Sequence, residues 1–128
     1  MTDDLAWLGS RATCPPGDLL EDADGLRALK YTFVTAIEGC LNVAQHMCAS
    51  EGWGPPSSNA DAMRVLGRHR VLAPELAEQL SRAVGFRNVL VHGYVDVDDG
   101  VVVGFLDRIG DLAAFVGQVT AWMALPAG

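Results

Sequence analysis

The chain has 128 residues, half of them hydrophobic and a fifth charged, which suits one globular domain with a substantial core. Its apolar runs are far shorter than the roughly 18 residues that a membrane-spanning helix needs, and its acidic N-terminus has no features of a secretion signal. The formal net charge of −7 argues against binding of nucleic acid through bulk electrostatics, so any RNA site must depend on a local group of arginines.

The three cysteines, Cys14, Cys40 and Cys48, cannot all pair with one another, and none belongs to a C-x-x-C motif. Reduced thiols in a cytoplasmic protein are the simplest interpretation. His46 lies close to two of these cysteines in sequence, but the spacing fits no common zinc pattern. We therefore predict neither a metal site nor a cofactor.

One long helical pattern dominates the first half of the chain. Residues 1–16 show only a single apolar turn, around Leu5 and Leu8, which a pair of prolines ends. From about Asp18 to Ser50 the pattern is helical, with apolar side chains recurring every three or four positions: Leu26, Leu29, Phe33, Ala36, Cys40, Val43 and Met47. Other apolar residues widen this face, which indicates packing on more than one side, in a bundle or at a dimer interface.

A loop and two more helices follow. Residues 52–59 are rich in Gly, Pro and Ser and predict a loop, after which Ser58 or Asn59 caps a short helix over residues 60–68. Pro74 suits the first turn of the next helix, which should end near a left-handed Gly93.

Two polar groups on these helices have more than one interpretation. Glu38 and Asn42 lie four positions apart on the long helix, and we interpret them as a solvated face. The basic cluster consists of four residues: Arg64, Arg68, His69 and Arg70. It is either a second solvated face or a contact for RNA or a protein partner, and the sequence leaves both open.

The last part of the chain is ambiguous between strand and helix. Residues 94–103 alternate around Asp99 and Gly100, which is typical of a β-hairpin. However, an isolated hairpin is marginal, and apolar residues recur at helical spacing from Val101 to Ala124, so we favour a helix capped by Asp98 or Asp99. The sequence thus predicts an all-α, up-and-down bundle of four to five helices. It forms a single domain over residues 1–128, with its core at about residues 18–124.

The stretch from Gly85 to Tyr94 concentrates polar chemistry among apolar side chains. Asn88 and His92 lie on one face of a helix, whereas Arg87 is about 140° away from His92 around the axis. Arg87 and His92 can therefore contact the same ligand in only one of three situations. The helix unwinds near its end, the ligand lies across that end, or a two-fold partner presents the same residues.

An arginine and a histidine suit metal-independent cleavage of RNA. The imidazole can take the proton of the ribose 2′-OH, and the guanidinium can stabilise charge on the phosphoryl oxygens. The products would be 2′,3′-cyclic phosphate and 5′-OH ends. A histidine near a helix C-terminus is also a favourable partner for the helix dipole, so the spacing alone does not decide the function.

The run from Arg87 to Tyr94 resembles the R-N-x-x-x-H-x-Y signature of the HepT-like branch of the HEPN superfamily. The order of the predicted elements is also similar, over residues 20–122, although the segment before Pro15 is shorter than the first helix usual in that family. The resemblance implies an all-α homodimer that acts as the ribonuclease toxin of a toxin–antitoxin pair.

The same resemblance implies roles for individual residues. Arg87 and His92 would be catalytic and would meet at a dimer cleft, with Asn88 in support. The partner would be an antitoxin of the MntA type, a minimal nucleotidyltransferase that silences the toxin by attaching AMP to Tyr94. A phosphate added there would occupy the anion site of Arg87 and His92. Neither DNA nor a membrane is implied.

Two other functions remain compatible with the sequence. The chain could be a non-catalytic helical subunit that docks on a nucleotidyltransferase, which would suit the acidic surface and the wide apolar faces. It could also be a bundle that binds a nucleotide or another small molecule, with Arg87 as the phosphate anchor.

Overall fold

The computed structural model describes residues 2–93 and 97–126. In chain order the helices are α1 (Thr2–Ala12), α2 (Pro16–Glu21), α3 (Ala23–Ser50), α4 (Asn59–Arg68), α5 (Pro74–His92), α6 (Asp99–Gly104) and α7 (Ile109–Met123), with a 3-10 turn (Phe105–Arg108) between the last two. Five of these helices have ten or more residues, and the described residues contain no strand. The prediction of an all-α bundle is confirmed.

The longest helix, α3, is the one on which the others pack, because α1, α4, α5 and α7 all contact it. Six of the seven apolar residues predicted to line its inner face are buried, and Val43 is half-buried. The buried side chains form a single cluster that runs from Leu8 to Val119. Removing a side chain of this size from water contributes about 1.5–3 kcal/mol, so this cluster is the main source of stability.

The start of the long helix differs from the prediction. The helical pattern was expected to run unbroken from about Asp18, but Asp22 has extended backbone angles (φ −99°, ψ 92°) and separates α2 from α3. The Asp22 carboxylate accepts a hydrogen bond from the Gly25 backbone N–H at 2.9 Å. Asp22 is therefore the N-cap of α3, because it satisfies a donor that the first helical turn leaves unpaired.

The final helical region is also interrupted. Asp98 caps α6 as predicted, since its carboxylate accepts the Gly100 backbone N–H at 2.7 Å, and Val101 is helical as preferred over a hairpin. The prediction of one continuous helix from Val101 to Ala124 is wrong, because a 3-10 turn separates α6 from α7. The tighter turn shifts the helical register, and it places Phe105 against the core while Leu106 is buried.

The N-terminal segment forms a complete helix rather than one apolar turn. Leu8 of α1 is fully buried, and the Thr35 hydroxyl of α3 donates to the Asp4 carboxylate at 2.9 Å. At the other side of α3, Lys30 forms an ion pair of 3.0 Å with Asp99 at the start of α6. These contacts join α1 and α6 to the central helix.

Helices α4 and α5 approach each other closely at Gly67. A Cβ added at Gly67 would lie 2.7 Å from the Cβ of Ala77, well inside the ~3.5 Å at which carbon atoms attract. We expect Gly67→Ala to lower the free energy of unfolding by about 1–3 kcal/mol, because α4 must move away from α5. Gly117→Ala is the matched control: a Cβ there meets no atom within 4 Å, so alanine should stabilise α7 by about 0.5–1 kcal/mol. Urea denaturation measures both changes, and a Gly67→Ala protein as stable as the wild type would contradict this packing.

Among the helices described, none is both long and apolar enough to cross a membrane. Nor do the described residues bring three His, Cys, Asp or Glu side chains close enough together to hold a metal ion.

Candidate active site at the end of helix α5

Helix α5 is held near both of its ends by contacts that involve none of the predicted site residues. Pro74 occupies its first turn, and just before it the Ala73 backbone N–H donates to the Gln118 side chain of α7 at 2.8 Å. Near the other end, the Phe86 ring stacks on Phe105 with centroids 4.1 Å apart. Phe33 of α3 meets both rings edge-on, at 5.5 and 5.4 Å. This aromatic cluster anchors the backbone of α5 one residue before Arg87.

Arg87 reaches across to the central helix. Its Nε and Nη2 both donate to one carboxylate oxygen, Oε1 of Glu38 on α3, at 3.1 and 2.6 Å. Its Nη1 donates to the side-chain oxygen of Asn88 at 2.9 Å. The Arg87 side chain is 19% exposed and that of Glu38 is 39% exposed, so the ion pair is partly shielded from water. Charge-assisted hydrogen bonds of this length hold a guanidinium in one orientation.

His92 is the last residue of α5, and its side chain is exposed. The helix continues unbroken through Val91 to His92, so the unwinding considered from the sequence does not occur. Among the described residues, His92 and Arg87 share no hydrogen bond. One chain therefore brings Arg87, Asn88 and Glu38 together, but it leaves the imidazole on a different side of the helix.

Gly93 ends α5 as predicted, but not in the predicted conformation. Its φ is −121° and not left-handed, and its backbone N–H donates to the Val89 carbonyl at 2.7 Å. Gly93 is thus the half-helical capping residue. Its N–H still donates the ordinary i to i−4 bond, and it has no need of a positive φ. Tyr94, the predicted AMP acceptor, lies outside the described residues.

The predicted basic cluster is largely neutralised by carboxylates of the same chain. Arg64 pairs with Glu78 at 3.4 Å and Arg68 with Asp61 at 3.7 Å. The hydrogen bond from Arg64 holds the pKa of Glu78 below its ordinary value, and the Ser57 backbone N–H does the same for the pKa of Asp61. These pairings favour the interpretation as a solvated face over an RNA contact.

His69 and Arg70, which complete that basic cluster, have structural roles after α4. The His69 ring stacks on Trp53, with centroids 4.2 Å apart. Arg70 has a φ of 61°, and its backbone N–H donates to the Gly67 carbonyl while the next N–H, of Val71, donates to Leu66. This pattern is a Schellman ending of the helix, with an arginine at the left-handed position where glycine is usual.

The buried cysteines do not supply a nucleophile. Burial raises the pKa of Cys40 to about 12. Burial and the nearby Asp61 raise the pKa of Cys48 as well. Because the thiolate is the reactive form, both side chains stay protonated and unreactive near neutral pH.

Glu38 is the site residue that sequence reasoning missed. It was interpreted as part of a solvated face, since its sequence neighbours gave no sign of a partner 49 positions away. The sequence did contain a signal: Glu38 is the one acidic residue of α3 beyond its first turn, and Arg87 is the one arginine in the polar stretch of α5. Recognising it requires the crossing of α3 and α5, which no local pattern contains.

The protein is therefore an all-α helical bundle with a candidate phosphate site. That site contains an arginine and a histidine five positions apart at one end of a helix. A family model described as Ribonuclease HepT-like matches residues 5–119. The chain belongs to this HepT-like family.

Curated relatives carry the same family name. The chain is 27% identical over 85 residues to the mRNA nuclease HepT of Shewanella oneidensis, a match covering 66% of this chain and 64% of the relative. It is 34% identical over 87 residues to the tRNA nuclease HepT of Aphanizomenon flos-aquae, covering 67% of this chain and 59% of the relative. The aligned region thus spans about three fifths of the length of these curated relatives.

Solved structures show the same fold. One is a tri-AMPylated HEPN toxin of Shewanella oneidensis in complex with an MNT antitoxin. It matches with a TM-score of 0.81 and 20% identity, covering 93% of this chain and 92% of that chain. The crystal structure of a mutant MntA–HpeT toxin–antitoxin gives a TM-score of 0.80 and 21% identity, covering 93% and 94%. At these identities the likeness concerns the fold.

Proposed function

We propose that this protein is a metal-independent endoribonuclease and the toxin of a toxin–antitoxin pair, acting on RNA in the cytoplasm. The observation that carries the proposal is the position of Arg87. It lies on α5, the helix that ends at the exposed His92, and its guanidinium is held by Asn88 of α5 and by Glu38 of α3. Family membership and the nuclease names of the curated relatives support it.

The proposed reaction is an internal transesterification. The His92 imidazole accepts the proton of a ribose 2′-OH, and that oxygen attacks the adjacent phosphorus while Arg87 stabilises charge on the phosphoryl oxygens. The bond from phosphorus to the 5′-oxygen breaks, and the leaving oxygen takes a proton from water or from a protonated imidazole of a second copy. A 2′,3′-cyclic phosphate and a 5′-OH remain, with Asn88 supporting the guanidinium throughout.

The proposed active form is a homodimer. Since α5 continues unbroken to His92, Arg87 and His92 stay about 140° apart around the axis of one helix. A two-fold axis beside the helix end would bring the arginine of one copy towards the histidine of the other. Val89 and Val91, which are 52% and 45% exposed at this end of α5, offer apolar surface for such a contact.

The proposed antitoxin is a nucleotidyltransferase of the MntA type, which would silence the toxin by attaching AMP to Tyr94. The solved relatives in complex with MntA or MNT antitoxins, one of them a tri-AMPylated toxin, support this assignment. A phosphate near Arg87 would compete with RNA for the same guanidinium.

Cleavage of RNA in the presence of EDTA tests the proposal. We expect the purified protein to cut an RNA oligonucleotide with EDTA present and to leave 2′,3′-cyclic phosphate ends, identified by mass. The matched substrate with a single 2′-deoxyribose at the cleavage position should stay intact, because the attacking oxygen is missing. Cleavage of the deoxy substrate, or loss of all activity in EDTA, would contradict the mechanism.

A second candidate function is a non-catalytic subunit that docks on a nucleotidyltransferase. The observation that favours it is the acidic chain, with a net charge of −7, together with the pairing of Arg64 and Arg68 by carboxylates of the same chain. It predicts a stable complex with the nucleotidyltransferase and no cleavage of RNA under any condition.

A further inference from the structure

We infer that Glu38 is a positioning residue of the ribonuclease site: its carboxylate orients the Arg87 guanidinium so that the remaining N–H donors face the phosphate. This inference rests on the proposed function. It concerns a residue on α3, outside the polar stretch of α5 that carries the family signature.

The inference begins from the hydrogen bonds of the guanidinium. Arginine has five N–H donors in a rigid plane. Glu38 accepts one from Nε and one from Nη2, and Asn88 accepts one from Nη1. Among the described residues this leaves one N–H on each terminal nitrogen. The one on Nη2 points away from the Glu38 carboxylate, because the N–H on the Nε side of that nitrogen donates to it. Two N–H groups on the terminal nitrogens are what a phosphoryl group needs for a bidentate contact.

The support for Glu38 is itself rigid. It follows Ile37, which is 1% exposed, on the helix that carries more buried residues than any other described helix. Phe33, one turn earlier on α3, meets Phe86, the residue that precedes Arg87. The carboxylate and the guanidinium therefore lie on two helices, α3 and α5, and the aromatic cluster fixes the position of one helix relative to the other.

The charge of Glu38 argues against a simple role in attracting RNA. A carboxylate 2.6 Å from Arg87 cancels the positive charge that would draw a phosphate. Glu38 therefore aids catalysis by orienting the Arg87 guanidinium, since misplacing a catalytic group by about 1 Å can lower the rate about 100-fold. The alternative is that Glu38 keeps Arg87 from contacting the substrate. In that case removing the Glu38 carboxylate would raise the cleavage rate.

Single-turnover cleavage of RNA by two Glu38 variants tests the inference. Glu38→Ala should lower the cleavage rate at saturating enzyme by about 10- to 100-fold, because the guanidinium loses its orientation. Glu38→Gln keeps an oxygen that accepts from Nε and should stay within about threefold of the wild type. A Glu38→Ala protein that cuts as fast as the wild type, or faster, overturns the inference.

Two controls separate positioning from a general effect on the fold. Glu78→Ala breaks the comparable Arg64 ion pair on α4 and α5, at 3.4 Å, and should leave the cleavage rate unchanged. In an Arg87→Lys background, Glu38→Ala should lower the rate much less than in the wild type, because the group it orients is gone. An equal loss in both backgrounds contradicts a role that acts through Arg87.

The Nε–H signal of Arg87 in an NMR spectrum distinguishes failure of this inference from failure of the proposed function. In the wild type, titration with inorganic phosphate should shift this signal, and in Glu38→Ala the shift should be reduced several-fold. If the wild type never cuts RNA but shows this difference, the ribonuclease proposal fails while the positioning role holds. If phosphate shifts the signal equally in both proteins, the positioning role fails.

Discussion

His92→Ala should lower the rate of RNA cleavage by about 10²- to 10⁴-fold, the usual contribution of a general base. The side chain is exposed at the last position of α5, so its loss should leave the thermal unfolding temperature unchanged. His46, an exposed histidine of α3, is the matched control, and His46→Ala should cut RNA at the wild-type rate. Equal cleavage by His92→Ala and the wild type would refute a catalytic role for this imidazole.

Combining two inactive variants in one dimer shows whether the Arg87 and His92 of one site come from the same chain or from two chains. A heterodimer of Arg87→Ala with His92→Ala retains one intact arginine in one copy and one intact histidine in the other. If the reacting pair is formed across two copies, a heterodimer purified through two different tags should recover about half of the wild-type activity per dimer, since one pair of two is complete. If each chain holds its own site, the heterodimer should be as inactive as the parent variants.

Phe33→Ala should be the most destabilising single substitution at the site, lowering the free energy of unfolding by about 3–5 kcal/mol. Phe33 is fully buried and is the ring that meets both Phe86 and Phe105, so alanine leaves a cavity between three elements. Urea denaturation followed by circular dichroism measures the loss.

Tyr31 provides the control for this aromatic position. It lies two residues earlier on α3 and is 70% exposed. Tyr31→Ala should change the free energy of unfolding by no more than about 0.5 kcal/mol. Comparable losses for the two variants would contradict the placement of Phe33 at the centre of the aromatic cluster.

The regular spacing of apolar residues along the chain was sufficient to predict the all-α bundle. The spacing of apolar residues along α3 depends only on the 3.6-residue turn, and Pro74 marks the start of α5 because a proline there loses no hydrogen bond. The polar stretch around Arg87 was found for the same reason, because Arg87, Asn88 and His92 are close together in the sequence. These features need no knowledge of how the helices cross.

What the sequence did not predict depends on competition between local and distant contacts. Asp22 can continue a helix or cap one, and its bond to the Gly25 N–H decides for the cap. The 3-10 turn over Phe105–Arg108 arises because Phe105 packs on the rings of α3 and α5. Glu38 was misinterpreted because its partner lies on another helix. The Asp22 cap is a local alternative to a continuous helix, whereas the 3-10 turn and the Glu38 pair depend on tertiary packing, which outweighs a local preference of about 1 kcal/mol or less.

The ion pair between Glu38 and Arg87 has a consequence for how the protein would meet its substrate. With that guanidinium already neutralised and a net charge of −7, the chain repels a polyanion at long range and attracts it only on contact. Proteins that grip nucleic acid through exposed lysines and arginines lose affinity as salt rises. Here physiological salt, which screens charges beyond about 8 Å, would weaken the repulsion and leave the shielded hydrogen bonds intact. Encounter with RNA would then be slow and tolerant of salt, so the choice of target would depend on which RNA segments fit the site and not on which arrive first.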